Sequence, residues 1–270
     1  MRDELSSFFR SARRRLQSPL ALTSLPDVPE MKRILRGSVF PYDGYQRGTL
    51  LKYGGLMERV IRDPDYREAI AASRLPDVRS MVDEARCASL FLLIRFFLRN
   101  LECQNIIEFG AFKGGNAIFM AMLLRKYYPS ARILALDTFA GLPDIKEGID
   151  NPPQEFNSAN LKRIRATAEQ LRLNNLEFVQ GLVEDTAKSS CERLGKVGLA
   201  HIDVVLYEPT AFVQELVWNY MTPGGYIVQD DALEPTCPGA LLAVEELICN
   251  HGSCTEQIWP HIVFRTPGGS

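Results

Sequence analysis

The chain has 270 residues, 46% of them hydrophobic and 24% charged, with a net charge of −2. That composition excludes wholesale disorder, and the near-balanced charge gives no sign of a nucleic-acid partner. The length suits one large α/β domain with an appended segment.

The six cysteines (Cys87, Cys103, Cys191, Cys237, Cys249 and Cys254) form no CxxC pair, and the chain has three histidines. A zinc site is therefore not expected, and scattered thiols fit a reducing cytosol. The longest apolar stretch, Ala88 to Leu98, is broken by Arg95 and is too short to span a bilayer. The apolar run Pro19 to Leu22, behind Arg13, Arg14 and Arg15, is too short for a signal-peptide core. A cytoplasmic protein with no membrane partner is expected.

Residues 1–80 are rich in Arg and Pro and hold short helical patterns, such as Tyr53 to Val60. They read as a cap on the main domain or as a contact in a homo-oligomer. The arginine cluster is either a solvated helix face or a contact for an acidic partner. The main domain is taken as residues 81–270.

Asp83 to Arg99 carries apolar residues at helical spacing. Asn105 to Phe109 reads as a buried strand, Asn116 to Tyr128 as a helix stopped by Pro129, and Arg132 to Leu136 as a second strand. Ser158 to Leu173 is helical and Leu176 to Gln180 is a third strand. Ala200 to Leu206 is a fourth strand, followed by a helix over Phe212 to Met221. Tyr226 to Gln229 is a fifth strand and Gly239 to Asn250 a helix. Glu256 to Trp259 and His261 to Arg265 read as closing strands. This alternation predicts an α/β fold: a Rossmann-like, doubly wound, mostly parallel sheet with an N-terminal helical cap. Ligands on such sheets bind beyond the carboxyl ends of the strands.

The first strand ends in Glu108-Phe-Gly-Ala-Phe-Lys-Gly-Gly115. Gly110 permits a sharp turn, and Gly114 and Gly115 permit close approach of backbone to a ligand. The spacing is not GxGxxG. It resembles the first motif of S-adenosylmethionine (SAM)-dependent methyltransferases. Asp137 ends the second strand, where a carboxylate accepts from ribose hydroxyls or caps a turn. Asp185, after the third strand, either sits beside an adenine or caps the next short helix with Thr186.

Asp203 lies in the apolar fourth strand, and Asp230-Asp231 ends the fifth. Neighbouring strands would bring these three acids to one sheet edge. Such acids need a compensating cation, and an all-oxygen set suits Mg²⁺. The alternative is that Asp230-Asp231 caps a turn while Asp203 pairs with an arginine. His201 reads as a strand residue with a satisfied side chain, and His251 and His261 carry no motif.

Glu108-x-Gly-x-x-x-Gly-Gly115, Asp137-Thr-Phe-Ala-Gly-Leu-Pro143, Gly181-x-x-x-Asp-Thr186, His201-Ile-Asp-x-x-Leu-Tyr-Glu-x-Thr210 and Pro223-Gly-Gly-Tyr-x-x-x-Asp-Asp231 occur in order. Together they resemble the macrocin and mycinamicin O-methyltransferase family over about Asp83 to Asp231. The resemblance implies a SAM- and Mg²⁺-dependent enzyme that methylates a sugar hydroxyl on a small natural product. It carries metal binding onto Asp203, Asp230 and Asp231, and cofactor binding onto Glu108, Gly110, Asp137 with its neighbour Thr138, and Asp185. One position departs: the family usually has Asp-x-Asp on the fourth strand, and here the second acid is Val205. Asp203 itself and Glu208 are the acids left as candidate bases. Val205 also keeps open a lapsed member that binds the cofactor without catalysis.

Overall fold

A computed structural model describes residues 55–143, 145, 149–150, 156, 159–251, 255–258 and 260–268. The chain divides into two compact units, Met1–Leu50 and Leu51–Ser270, and the described residues belong to the second. Arg13 to Arg15, most of the expected cap and much of the loop between Pro143 and Phe156 lie outside them.

Two short helices open the described chain, α1 (Gly55–Arg62) and α2 (Pro64–Ser73). Helix α2 starts where Pro64 has its ring at the first turn and the Asp63 side chain accepts from the Asp65 and Tyr66 N–H groups. Helix α3 (Glu84–Leu92) is capped by Asp83, which accepts from Arg86 N–H. The helix expected to run to Arg99 instead loosens into a π turn over Leu93–Phe97 and ends as a 3₁₀ turn over Leu98–Asn100.

The sheet strands and helices then alternate: β1 (Ile106–Phe109), α4 (Gly115–Tyr127), β2 (Ile133–Asp137), α5 (Leu161–Gln170), β3 (Leu176–Gln180), α6 (Val183–Leu194), β4 (Val197–Ile202), α7 (Tyr207–Trp218), β5 (Met221–Gln229), α8 (Pro238–His251), β6 (Thr255–Gln257) and β7 (Ile262–Arg265). The seven strands lie in the order β3-β2-β1-β4-β5-β7-β6. Neighbours from β3 to β5 are parallel, and β7 is antiparallel to both β5 and β6. This is the expected doubly wound sheet, and its direction of winding reverses between β1 and β4.

Two apolar cores cover the two faces. Ile106, Ile133, Leu199, Val228 and Val263 pack with α2, α3, α4 and α5. Ile107, Leu134, Ala200, Ile227 and Phe264 pack with α6, α7 and α8. The split follows the period of two along a strand. Tyr66, Ala69, Ala72, Val78 and Val82 are buried in the first core, so residues 60–82 are built into the domain wall.

Three boundaries differ from expectation in ways that matter to the site. Strand β4 stops at Ile202, leaving Asp203 to Leu206 as a loop. Helix α7 then starts at Tyr207, because Pro209 is tolerated in a first turn. Strand β5 starts at Met221, since Thr222-Pro-Gly-Gly225 runs as irregular strand with a register shift against β4. No helix among the described residues is long and apolar enough to cross a membrane.

Candidate active site

A cavity of about 300 Å³ opens at the carboxyl ends of β1, β2, β4 and β5, a size at the lower end of small-molecule sites. Its lining includes Gly110, Asp137, Thr138, Asp203, Asp230 and Asp231. Six of the sequence-predicted positions therefore share one wall system.

Gly110 sets the spacing of the two halves. Its φ is +92°, and a Cβ there would lie 1.7 Å from the Asp203 carbonyl oxygen. The exits of β1 and β4 thus touch backbone to backbone. Beyond Gly110, Phe112 N–H donates to Asp137 Oδ2 at 2.8 Å, and Phe139 N–H donates to Oδ1 at 2.7 Å. Burial pushes the Asp137 carboxyl up, against the pull of those N–H groups. The Thr138 hydroxyl donates to Gly141 O at 2.6 Å and fixes the next turn.

Four expected residues are placed elsewhere. Glu108 is fully buried behind the wall, where its Oε1 accepts from Asn116 Nδ2 at 2.7 Å. Gly114 is hemmed in by Ile164 and Phe178, so its lack of a side chain serves packing, whereas its neighbour Gly115 lines the cavity with its Cβ position blocked by the backbone of residues 73–80. Asp185 is exposed in the first turn of α6, a twelve-residue helix longer than expected, and its neighbour Glu184 lines the cavity instead. Glu208 is exposed on the first turn of α7 and is not among the lining residues.

The acid edge is denser than the sequence suggested. One ligand atom from each of Asp203, Asp230 and Asp231 falls within 4.8 Å of the others. Val205 N–H donates to Asp231 Oδ2 at 2.8 Å from a left-handed backbone, φ +67°. Three groups that were not candidate site residues converge on Asp230. His261 Nε2 lies 2.8 Å from Oδ1, His201 Nε2 lies 3.3 Å from the same oxygen, and Arg86 donates to Oδ2 at 2.9 Å. The His201 contact has ion-pair distance without hydrogen-bond alignment. On its other side His201 Nδ1 is 3.3 Å from Glu108 Oε1.

Strand geometry explains the row. Glu108 pairs with His201 in register, His201 pairs with Val228, and Asp230 lies two residues further on. All project to the face covered by α3, which carries Arg86. Antiparallel β7, with Gln229 opposite Ile262, brings His261 alongside. A buried acid and histidine at matched strand positions is the signal that could have flagged His201; Arg86 and His261 had none.

The charges settle accordingly. Burial, then the Asp230 and Asp231 carboxylates, push Asp203 well above the usual carboxylate range. Burial and Asp230 push Asp231 up to about 6. Burial also acts to raise Asp230, but the two histidines and Arg86 outweigh it and hold that carboxyl well below its ordinary value. His201 is raised to about 10, its burial outweighed by Asp230 and Glu108, whereas burial lowers His261.

The sheet order and the ligand edge at its switch point define a class I methyltransferase, the Rossmann-like fold of enzymes that use SAM. The macrocin O-methyltransferase (TylF) family model matches residues 57–251, and the chain belongs to that family. It is a SAM-dependent O-methyltransferase. It is 26% identical over 191 residues to the Streptomyces olivaceus 8-demethyl-8-(2,3-dimethoxy-alpha-L-rhamnosyl)-tetracenomycin-C 4'-O-methyltransferase, covering 66% of this chain and 72% of the relative. It is 25% identical over 237 residues to the mycinamicin III 3''-O-methyltransferase of Micromonospora griseorubida, covering 76% and 91%. Among solved structures, the calicheamicin methyltransferase CalS11 shares the fold with a TM-score of 0.60 at 22% identity, over 86% of this chain and 96% of that one.

Proposed function

We propose that the enzyme methylates a sugar hydroxyl on a small natural product, with Mg²⁺ held by Asp203, Asp230 and Asp231. Both curated relatives are named for methylating an oxygen of a natural product, and one name specifies a rhamnosyl-bearing molecule. The observation that carries the metal reading is the crowding of three acids on one cavity wall. Hard carboxylate oxygens are the donor set that suits Mg²⁺. Burial and then the neighbouring carboxylates raise Asp203 and Asp231, and a bound cation would offset both effects.

SAM supplies the electrophilic methyl group. Mg²⁺ at the three acids would polarise the acceptor oxygen. Asp137 and Thr138 are assigned to the ribose side, and Gly110 to the close approach of backbone to cofactor. Phe112 and Phe156 meet edge to face, ring centroids 5.4 Å apart, and with Leu142 and Pro143 give the cavity its apolar side. That side excludes water and aligns the reactants, an effect worth about 7–11 kcal/mol in well-oriented reactions. With Val205 in place of the family's second acid and Glu208 outside the cavity, Asp203 is the carboxylate assigned to take the acceptor proton; burial and its neighbouring carboxylates make it more basic than an ordinary carboxylate. Scattered cysteines favour a reducing compartment, so the proposal includes a cytoplasmic setting.

A second reading, a member that binds cofactor without turnover, is favoured by Val205, which is buried where an acid is expected. The test is S-adenosylhomocysteine release from SAM with rhamnosylated acceptors. The expected result is turnover that stops on treatment with EDTA and returns with added Mg²⁺. Cofactor binding with no turnover and no effect of Mg²⁺ would establish the second reading.

A further inference from the structure

Arg86 is a cation already present in the acid cluster. Its guanidinium donates to Asp230 Oδ2 at 2.9 Å and to Glu234 Oε1, and the side chain is only 11% exposed. Its Nε also lies 3.9 Å from Asp83, the cap of α3. Asp230 Oδ1 is meanwhile taken by the histidine pair. Every approach to the Asp230 carboxylate therefore shares an oxygen with a group that is already in place, and on Oδ2 that group carries a full positive charge.

We propose that Arg86 is the resident counter-ion of the cluster and that it weakens divalent-cation binding by competing for Asp230. The inference rests on the metal reading above and adds a residue that sets how tightly the metal is held. Two positive groups within contact distance of one carboxylate repel each other, and the low dielectric of a buried site strengthens that repulsion. Without a metal, Arg86 balances acids that would otherwise repel. With a metal, the guanidinium must share Asp230 or withdraw toward Glu234 and Asp83. Because Arg79, Ser80, Met81 and Val82 line the cavity just before α3, a shift of Arg86 reaches the cavity rim through the first turn of that helix.

The test is Mn²⁺ binding to the full chain without cofactor, read by the electron paramagnetic resonance signal of free Mn²⁺. Arg86→Met should bind Mn²⁺ about tenfold more tightly than the parent, as expected for removing a like charge at a weakly screened site. In EDTA the same variant should melt at a lower temperature than the parent, and Mn²⁺ should recover that loss. A purely structural arginine would give the lower melting temperature without the tighter binding. Unchanged or weaker Mn²⁺ binding overturns the proposal. If Arg86→Met does not fold, Arg86→Lys carries the test: one ammonium cannot bridge Asp230 and Glu234 in the same way, so binding should tighten several-fold, and an unchanged affinity overturns the proposal. S-adenosylhomocysteine binding by calorimetry on the same samples separates the failures. Mn²⁺ binding of equal strength in parent and variant sinks the Arg86 proposal alone. No Mn²⁺ binding in any sample, with the nucleoside still bound, sinks the metal reading and this proposal with it.

Discussion

The two halves of the cavity are built in different ways. The half at β1 and β2 is made of two short contiguous motifs: a glycine turn, and Asp137, held by the N–H of Phe139 two residues on and by that of Phe112 in the glycine turn. The half at β4 and β5 is gathered from across the chain, with Arg86, His201, Asp230 and His261 meeting from four elements. The first half is held by backbone N–H groups of two adjoining strand exits. The second is held by charge balance among buried groups, so altering one member leaves another uncompensated.

Gly110 is where that contrast should break down most completely, because it belongs to both halves. Gly110→Ala places a methyl 1.7 Å from the Asp203 carbonyl, on a backbone that disfavours side chains. A loss of more than about 4 kcal/mol of stability is expected, at the far end of single substitutions; a denaturant midpoint close to the parent's would show that the two exits are not pressed together. Next in size is a reciprocal pair. Asp230→Asn should lower methyl transfer beyond the roughly 10–100-fold typical of outer-shell metal partners, while S-adenosylhomocysteine affinity stays near the parent value. Asp137→Asn should do the reverse, weakening nucleoside affinity about tenfold, as for a lost charge-assisted hydrogen bond, with Mn²⁺ affinity unchanged. Calorimetry of both ligands on both variants checks the pair; crossed effects would mean that the halves are not separable.

The smallest effect should come from Val205. A β-branched residue at φ +67° is strained by about 1–2 kcal/mol, but its side chain packs with Leu206, Cys237 and Ala240. Val205→Asn should relieve the first and lose the second, leaving stability within about 1 kcal/mol of the parent. A thermal melt decides it, and a large loss would mean that the packing outweighs the strain.

The same contrast governs what could be read from the sequence. The parallel sheet, the turn at Gly110, Asp137 and the three acids were legible, because each rests on periodicity or on a motif within ten residues. The end of β4 was not, because Asp203 to Leu206 is apolar enough to continue a strand and only tertiary contacts turn Val205 into a left-handed loop residue. Gly114 and Gly115 read as ligand glycines, yet what they avoid is Ile164, Phe178 and residues 73–80, neighbours that no local pattern announces. Asp185 and Glu208 each lie one residue from a cavity-lining neighbour, Glu184 and Pro209; a helix turns about 100° per residue, so small errors in its start change which side chain faces inward. Arg86 and His261 were invisible, since one came from a helix read as wholly amphipathic and the other from a strand order that places β7 beside β5.

The contact of Gly110 with the Asp203 carbonyl has a further consequence. The gap between the glycine turn and the acids is set by two abutting main chains within one sheet, so no hinge lies between them to widen or close it. Selection for a new acceptor would then have to work on the walls around this fixed ruler, and swapping loops above the sheet should alter which molecule enters while leaving the reach of the transfer unaltered.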